Sequence, residues 1–118
     1  MNYIDAYKTV ENAMREYYYA TNEYYDNLGS MLGDLDSGIW IPPEGTPLMS
    51  GDPAIFRRMW TNAWNKIVGE GMDGVPEQVF LVAKVLLDYY QNEVLYDLGD
   101  AENYLKSALK INRVSSYL

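Results

Sequence analysis

Few residues in this chain are spaced for chemistry. Asp34-x-Asp36-x-Gly38 begins like a calcium loop, in which alternating carboxylates coordinate a hard cation. That loop also needs Asp or Asn at the fifth place, Gly at the sixth and Glu at the twelfth. Here those places hold Gly38, Ile39 and Gly45. Gly29-x-x-x-Gly33 lacks the Lys-Ser/Thr with which a phosphate loop binds its nucleotide, and reads better as a loosened helix. Paired carboxylates can do acid–base work, but 17 acids in 118 residues place some side by side by chance. Trp60 with Trp64 and Tyr89 with Tyr90 can build an aromatic cage; at helical spacing they read as core. The chain has no Cys and no His. This excludes disulfides, thiol nucleophiles, Ser–His relays and the His-containing metal motifs. The expectation is a protein that is not an enzyme and needs neither cofactor nor metal.

Charge narrows the partners. Against 17 Asp and Glu stand 9 Lys and Arg, a formal net charge of −8. Phosphate contacts need clustered cations, so nucleic acid and anionic membrane surfaces are both disfavoured. The acids are also unevenly spread. No Lys or Arg lies between Arg15 and Arg57, a stretch holding Glu16, Glu23, Asp26, Asp34, Asp36, Glu44 and Asp52. A second such stretch, Lys84 to Lys106, holds Asp88, Glu93, Asp97, Asp100 and Glu102. Acidic runs of this kind often do no more than solvate a surface. If the two stretches come together, they instead form a face complementary to a cationic protein, nucleases being the obvious class.

The elements that must position these residues are helical. From Tyr3 to about Leu28 a stripe of Ile4, Tyr7, Val10, Met14, Tyr17, Tyr18, Thr21, Tyr25 and Leu28 lies opposite Lys8, Glu11, Asn12, Arg15 and Glu23. Asn2 is its predicted cap. Seven of the 12 tyrosines fall between Tyr3 and Tyr25. Most are expected to pack by the ring, with Tyr19 the exposed exception. A short helix follows over 27–35, then a Gly- and Pro-rich loop from Asp36 to Gly51 anchored by Trp40, Ile41, Leu48 and Met49. Asp52-Pro53 opens a helix with Phe56, Met59, Trp60, Ala63, Trp64 and Ile67 inward. Pro76 opens the next, to roughly Asp97, with Val79, Phe80, Ala83, Leu86, Leu87, Tyr90 and Val94 inward. Gly99 breaks it, and Asp100 caps a last helix bearing Ala101, Tyr104, Leu105, Ala108 and Leu109. The fold class predicted is all-α: one domain over residues 1–118, a bundle of four to five helices with one long loop between the short second helix and the third. No segment has a signal-peptide pattern or the ~20 apolar residues of a membrane span, so a cytoplasmic protein is expected.

Two short motifs add to this reading. Tyr24-Tyr25-Asp26-Asn27-Leu28-Gly29-Ser30-Met31-Leu32-Gly33-Asp34-Leu35 precedes a loop with Trp40 and Pro47, and Gly51-Asp52-Pro53-Ala54 follows. The combination resembles a family of small acidic bacterial proteins, the immunity proteins of contact-dependent growth inhibition and related polymorphic toxin systems. Their pattern is an aromatic residue, then D-(D/N)-(L/I)-G-S-(L/M)-L-(S/G)-D-(L/M), a variable loop, and D-P-A before further aromatics. The resemblance spans about residues 5 to 64. After Asp-Pro-Ala this chain departs from it: Phe56 stands where the family tends to Trp, and Arg58-Met59 replace Asp-Trp, with Trp60 one step later.

The resemblance implies a stoichiometric inhibitor that occupies a cognate toxin domain, with Asp34, Asp36, Trp40 and Glu44 as its contacts. Glu23, Tyr19, Asp97, Asp100 and Glu102 extend that set. Two other readings stay open. One is a phage-type nucleic-acid mimic that inhibits a host DNA-binding protein. The other is a structural helical module that self-associates through its aromatic surface.

Overall fold

Asn2 starts the first helix as its spacing predicts, its side-chain oxygen accepting the Asp5 N–H at 2.8 Å. The computed structural model describes residues 1–35 and 53–111, the side chains of 34–35 and 53–57 apart. Among these it contains five α-helices and no strand. They are α1 (Tyr3–Ala20), α2 (Asp26–Leu35), α3 (Pro53–Ile67), α4 (Pro76–Asp88) and α5 (Ala101–Ala108). The long loop between α2 and α3, with Asp36, Trp40, Glu44 and the predicted cap Asp52, lies outside the described residues.

The first helix stops eight residues earlier than its apolar stripe suggests. Asn22 and Glu23 take left-handed backbone angles, φ 56° and 60°. Their N–H groups return to the carbonyls of Tyr19 and Tyr18 at 3.0 and 2.9 Å, and Thr21 N–H returns to Tyr17 at 3.0 Å. The closing turn thus satisfies the last carbonyls of α1. Asn is among the residues that tolerate this conformation, and periodicity is blind to it. Tyr24 and Tyr25 therefore sit in a connection and not on a helical stripe.

The core forms where α3 packs on α4 and α1 lays its tyrosines against α3. Trp60 and Trp64 are fully buried, Trp60 edge-on to Tyr7 at 5.1 Å and Trp64 edge-on to Tyr3 at 6.0 Å. Such edge-to-face pairs add about 0.5–1.5 kcal/mol each beyond their buried area. The Tyr3 hydroxyl meets Thr61 Oγ1 at 2.6 Å at the rim. The two indole N–H groups find no acceptor among the described residues, at a cost of about 1–3 kcal/mol each. Met14, Leu28, Met31, Val79, Val82, Leu98 and Leu105 complete the interior.

Three details depart from the expected faces. Glu11, assigned to the polar side, is only 5 % exposed; Arg15 one turn on bonds its carboxylate at 3.0 Å, which makes burial tolerable. The fourth helix leaves α geometry after Asp88 and continues as a π-helical turn, Tyr89–Glu93, short of the predicted end at Asp97. That turn rotates Tyr90 inward, where its ring lies 5.2 Å from Tyr89 and 5.5 Å from Tyr96. Ala108 is exposed because α5 buries Ala101, Leu105 and Leu109, a stripe that passes beside it.

The start of α1 is held as well. The Met1 ammonium donates to Gly74 O at 2.9 Å and Gly74 N–H returns to Met1 O at 2.8 Å. This joins the start of α1 to the α3–α4 turn.

Candidate functional site

The turn from Leu95 to Asp100 decides which acids meet. Leu95 and Gly99 both have positive φ, 65° and 60°, and fold the chain back against the other end of the bundle. Two hydrogen bonds fix it there and a third braces the turn itself. Asp100 N–H donates to the Tyr17 hydroxyl at 2.6 Å. Asp97 N–H donates to Asn27 Oδ1 at 3.3 Å, and Gly99 N–H donates to Asp97 Oδ1 at 3.0 Å. Tyr25 stacks on Tyr17 at 6.0 Å and 13°, and Tyr104 closes the cluster 5.2 Å from Tyr17. A Cβ on Gly99 would run into the Tyr25 ring, so the site requires glycine for space as well as for φ.

One corner of the molecule is built this way from the end of α1, the start of α2 and the Leu95–Asp100 turn. Asp97 and Asp100, distant in sequence from the first acidic stretch, are brought to Tyr17 and Asn27, next to Asp26. Glu23 lies exposed in the turn between α1 and α2. None of Glu23, Asp26, Asp97 and Asp100 has an ion-pair partner among the described residues. Asp100 occupies the N-cap position of α5, but its carboxylate accepts from Asn103 Nδ2 at 2.7 Å and makes no bond to the helix backbone. Glu102 is placed differently. It lies 3.3 Å from Lys84, which also holds Asp88 at 2.9 Å, so it shares one cation with Asp88. The bond to Asp88, and after it that to Glu102, holds the Lys84 ammonium above its ordinary range.

Aromatic side chains stand among these acids. Tyr19, near the end of α1, is 62 % exposed, as its place on the polar face predicts. Tyr24, where periodicity predicts a continuing helix, is 76 % exposed. Leu95, at 78 %, projects from the strained turn. The signal for Tyr24 was Asn22, a residue suited to left-handed geometry, two positions earlier. Of the remaining candidates, Asp34 lies in α2 with its side chain outside the described residues, and Asp36, Trp40 and Glu44 lie outside them altogether.

A groove of about 480 Å³ runs between α1 and α2, lined by Arg15, Tyr18, Tyr19, Asp26, Gly29, Ser30, Leu32 and Gly33. Tyr18 leans over Gly29, whose missing side chain makes room: a Cβ there would lie 2.8 Å from the hydroxyl. Partial burial, and then the carboxylates of Glu23 and Asp26, hold that hydroxyl's pKa above its usual value. A second groove of about 270 Å³ lies between α3 and α4, walled by Met59, Ala63, Ile67 and Val85 with Asn62 and Lys66. Among the described residues no three Asp or Glu side chains are grouped to hold a metal ion, and no helix is long and apolar enough to cross a membrane.

Comparison of the chain with protein-family models, with curated proteins and with solved structures found no match.

Proposed function

We propose that this chain is an immunity protein that captures and neutralises a cognate cationic toxin domain, of nuclease type, in the cytoplasm of the cell that produces it. One observation carries the reading: unpaired Glu23, Asp26, Asp97 and Asp100 gather at one corner with the strongly exposed Tyr19, Tyr24 and Leu95. Unpaired carboxylates steer a basic partner and set its register, whereas large, rigid, exposed side chains supply the buried anchors of an interface. A surface that served solubility alone has no need of exposed tyrosines, which work against it. The motif Asp26-Asn27-Leu28-Gly29-Ser30 supports the same reading, since Asn27 receives Asp97, Leu28 is core and Gly29 seats Tyr18. Inhibition of this kind needs no turnover: the partner is blocked by being covered.

Titration of the full chain against the product of the immediately upstream gene, which this proposal takes to be the toxin, tests it. A one-to-one complex is expected, with an association rate that falls steeply as salt is raised. Absence of binding at low ionic strength would overturn it. Capture of a host DNA-binding protein in place of the toxin would favour the nucleic-acid mimic. A mass that grows with concentration in light scattering would favour self-association, for which the α3–α4 groove with exposed Leu81 and Val85 is the available apolar surface.

A further inference from the structure

We propose that the groove between α1 and α2 receives an arginine side chain of the captured protein; this rests on the reading of the chain as a binder of a cationic partner. The shape and chemistry of the groove both select such a group. Its wall is a pair of tyrosine rings, Tyr18 and Tyr19, with centroids 5.5 Å apart and planes tilted by 56°. Rings set at an angle offer a planar cation one face to lie on and one edge to rest against. Guanidinium is planar, weakly hydrated and stacks on aromatic faces, which an ammonium does less well.

The charge of the groove is also asymmetric. Arg15 lines one part of it but is held by the buried Glu11 at 3.0 Å, so that pair contributes no net charge. Asp26 lines it too, and this carboxylate has no ion pair among the described residues. Glu23 stands close enough to act on the Tyr18 hydroxyl together with Asp26. An entering cation therefore meets uncompensated negative charge and two rings. Its aliphatic stem can lie along Leu32 and the bare backbone of Gly33. Among the described residues nothing lies within 4 Å of where a Gly33 side chain would be. Tyr19 is 62 % exposed near the last turn of its helix, so one side of its ring is open to a ligand.

The test uses the full chain and a defined probe. N-acetyl-arginine methylamide is titrated at low ionic strength while the backbone amides of Gly29, Ser30 and Gly33 are followed by NMR, with the norleucine analogue as the uncharged control. Saturable shifts at these three amides are expected with arginine and not with norleucine. They should disappear in Tyr19→Ala and persist in Tyr19→Phe, which keeps the ring. Equal shifts with both probes, no saturation, or shifts unchanged in Tyr19→Ala would overturn the assignment. A second arm uses the upstream toxin domain, against which Tyr19→Ala and Asp26→Asn should each weaken binding about tenfold. If the toxin binds both variants as tightly as the unaltered chain, the groove assignment fails and the proposed function stands. If the toxin does not bind at all, the proposed function fails and the arginine titration still decides the chemistry of the groove.

Discussion

The Tyr17 hydroxyl accepts a 2.6 Å hydrogen bond from the backbone N–H of Asp100, 83 residues further along the chain. This bond closes the candidate corner. It ties the end of α1 to the turn that carries Asp97 and Asp100. Tyr17 is 6 % exposed, so the bond is made where water competes poorly.

Replacing Tyr17 with Phe keeps the ring and removes the acceptor. The Asp100 N–H then loses its partner, and the fold should lose about 1–3 kcal/mol, read as a lower denaturant midpoint at unchanged slope. Amide exchange at Asp100 should speed up more than exchange at Trp60 or Leu86, because the damage is confined to one turn.

Gly99→Ala should be worse. The substitution forces a side chain into a left-handed backbone and drives its Cβ against the Tyr25 ring, with the Tyr17 hydroxyl at 2.6 Å. Strain and overpacking together predict a loss of about 2–5 kcal/mol in urea unfolding. Gly33→Ala, at an exposed helical position with nothing near its Cβ, should instead leave stability equal or raise it by up to about 1 kcal/mol.

Alkaline pH should weaken the fold. Burial raises the pKa of Tyr17 above its ordinary 10.0, and the bond to Asp88 raises that of Lys84 above 10.5. In both cases the folded state holds its proton more tightly than the unfolded chain does. Their contributions are complete below about pH 10 and are lost as the pH rises through the folded-state values. Urea unfolding at pH 9 and pH 11 checks this: stability should be lower at pH 11, and the difference should shrink in Tyr17→Phe.

Charge reversal separates steering from contact. Glu23→Lys should slow association with the upstream toxin domain and flatten its salt dependence, with little effect on thermal stability, since Glu23 is exposed and unpaired. Asp36→Lys with Glu44→Lys extends the test to the loop. Stopped-flow association rates at two salt concentrations measure both. Rates unchanged from those of the unaltered chain would remove these residues from the interface.

Much of the fold was legible in the residues themselves. The stripes of Tyr7, Val10 and Met14, of Trp60 and Trp64, and of Phe80, Ala83 and Leu87 follow helical periodicity because each must bury one face, and all are buried. Absent Cys and His likewise bound the chemistry at the outset. Local pattern failed where backbone conformation or a distant partner took over. Periodicity ran through Asn22 and Glu23 because it does not register positive φ, and so it hid Tyr24. It put Glu11 outside because it counts charge without asking whether Arg15 can follow it inward.

Composition showed by itself that the chain is acidic and without the side chains of most catalytic centres, and apolar spacing showed that it is helical. It also marked two stretches lacking basic residues. Whether those stretches meet is a question of loop closure across some seventy residues, and no local preference answers it. Only the tertiary structure decided that Asp97 and Asp100 belong beside Tyr17 and Asn27, and that Glu102 shares Lys84 with Asp88. The physical reason is that a hydrogen bond between distant residues forms only once packing has already brought them together, as the core beneath Tyr17, Tyr25 and Leu98 does here.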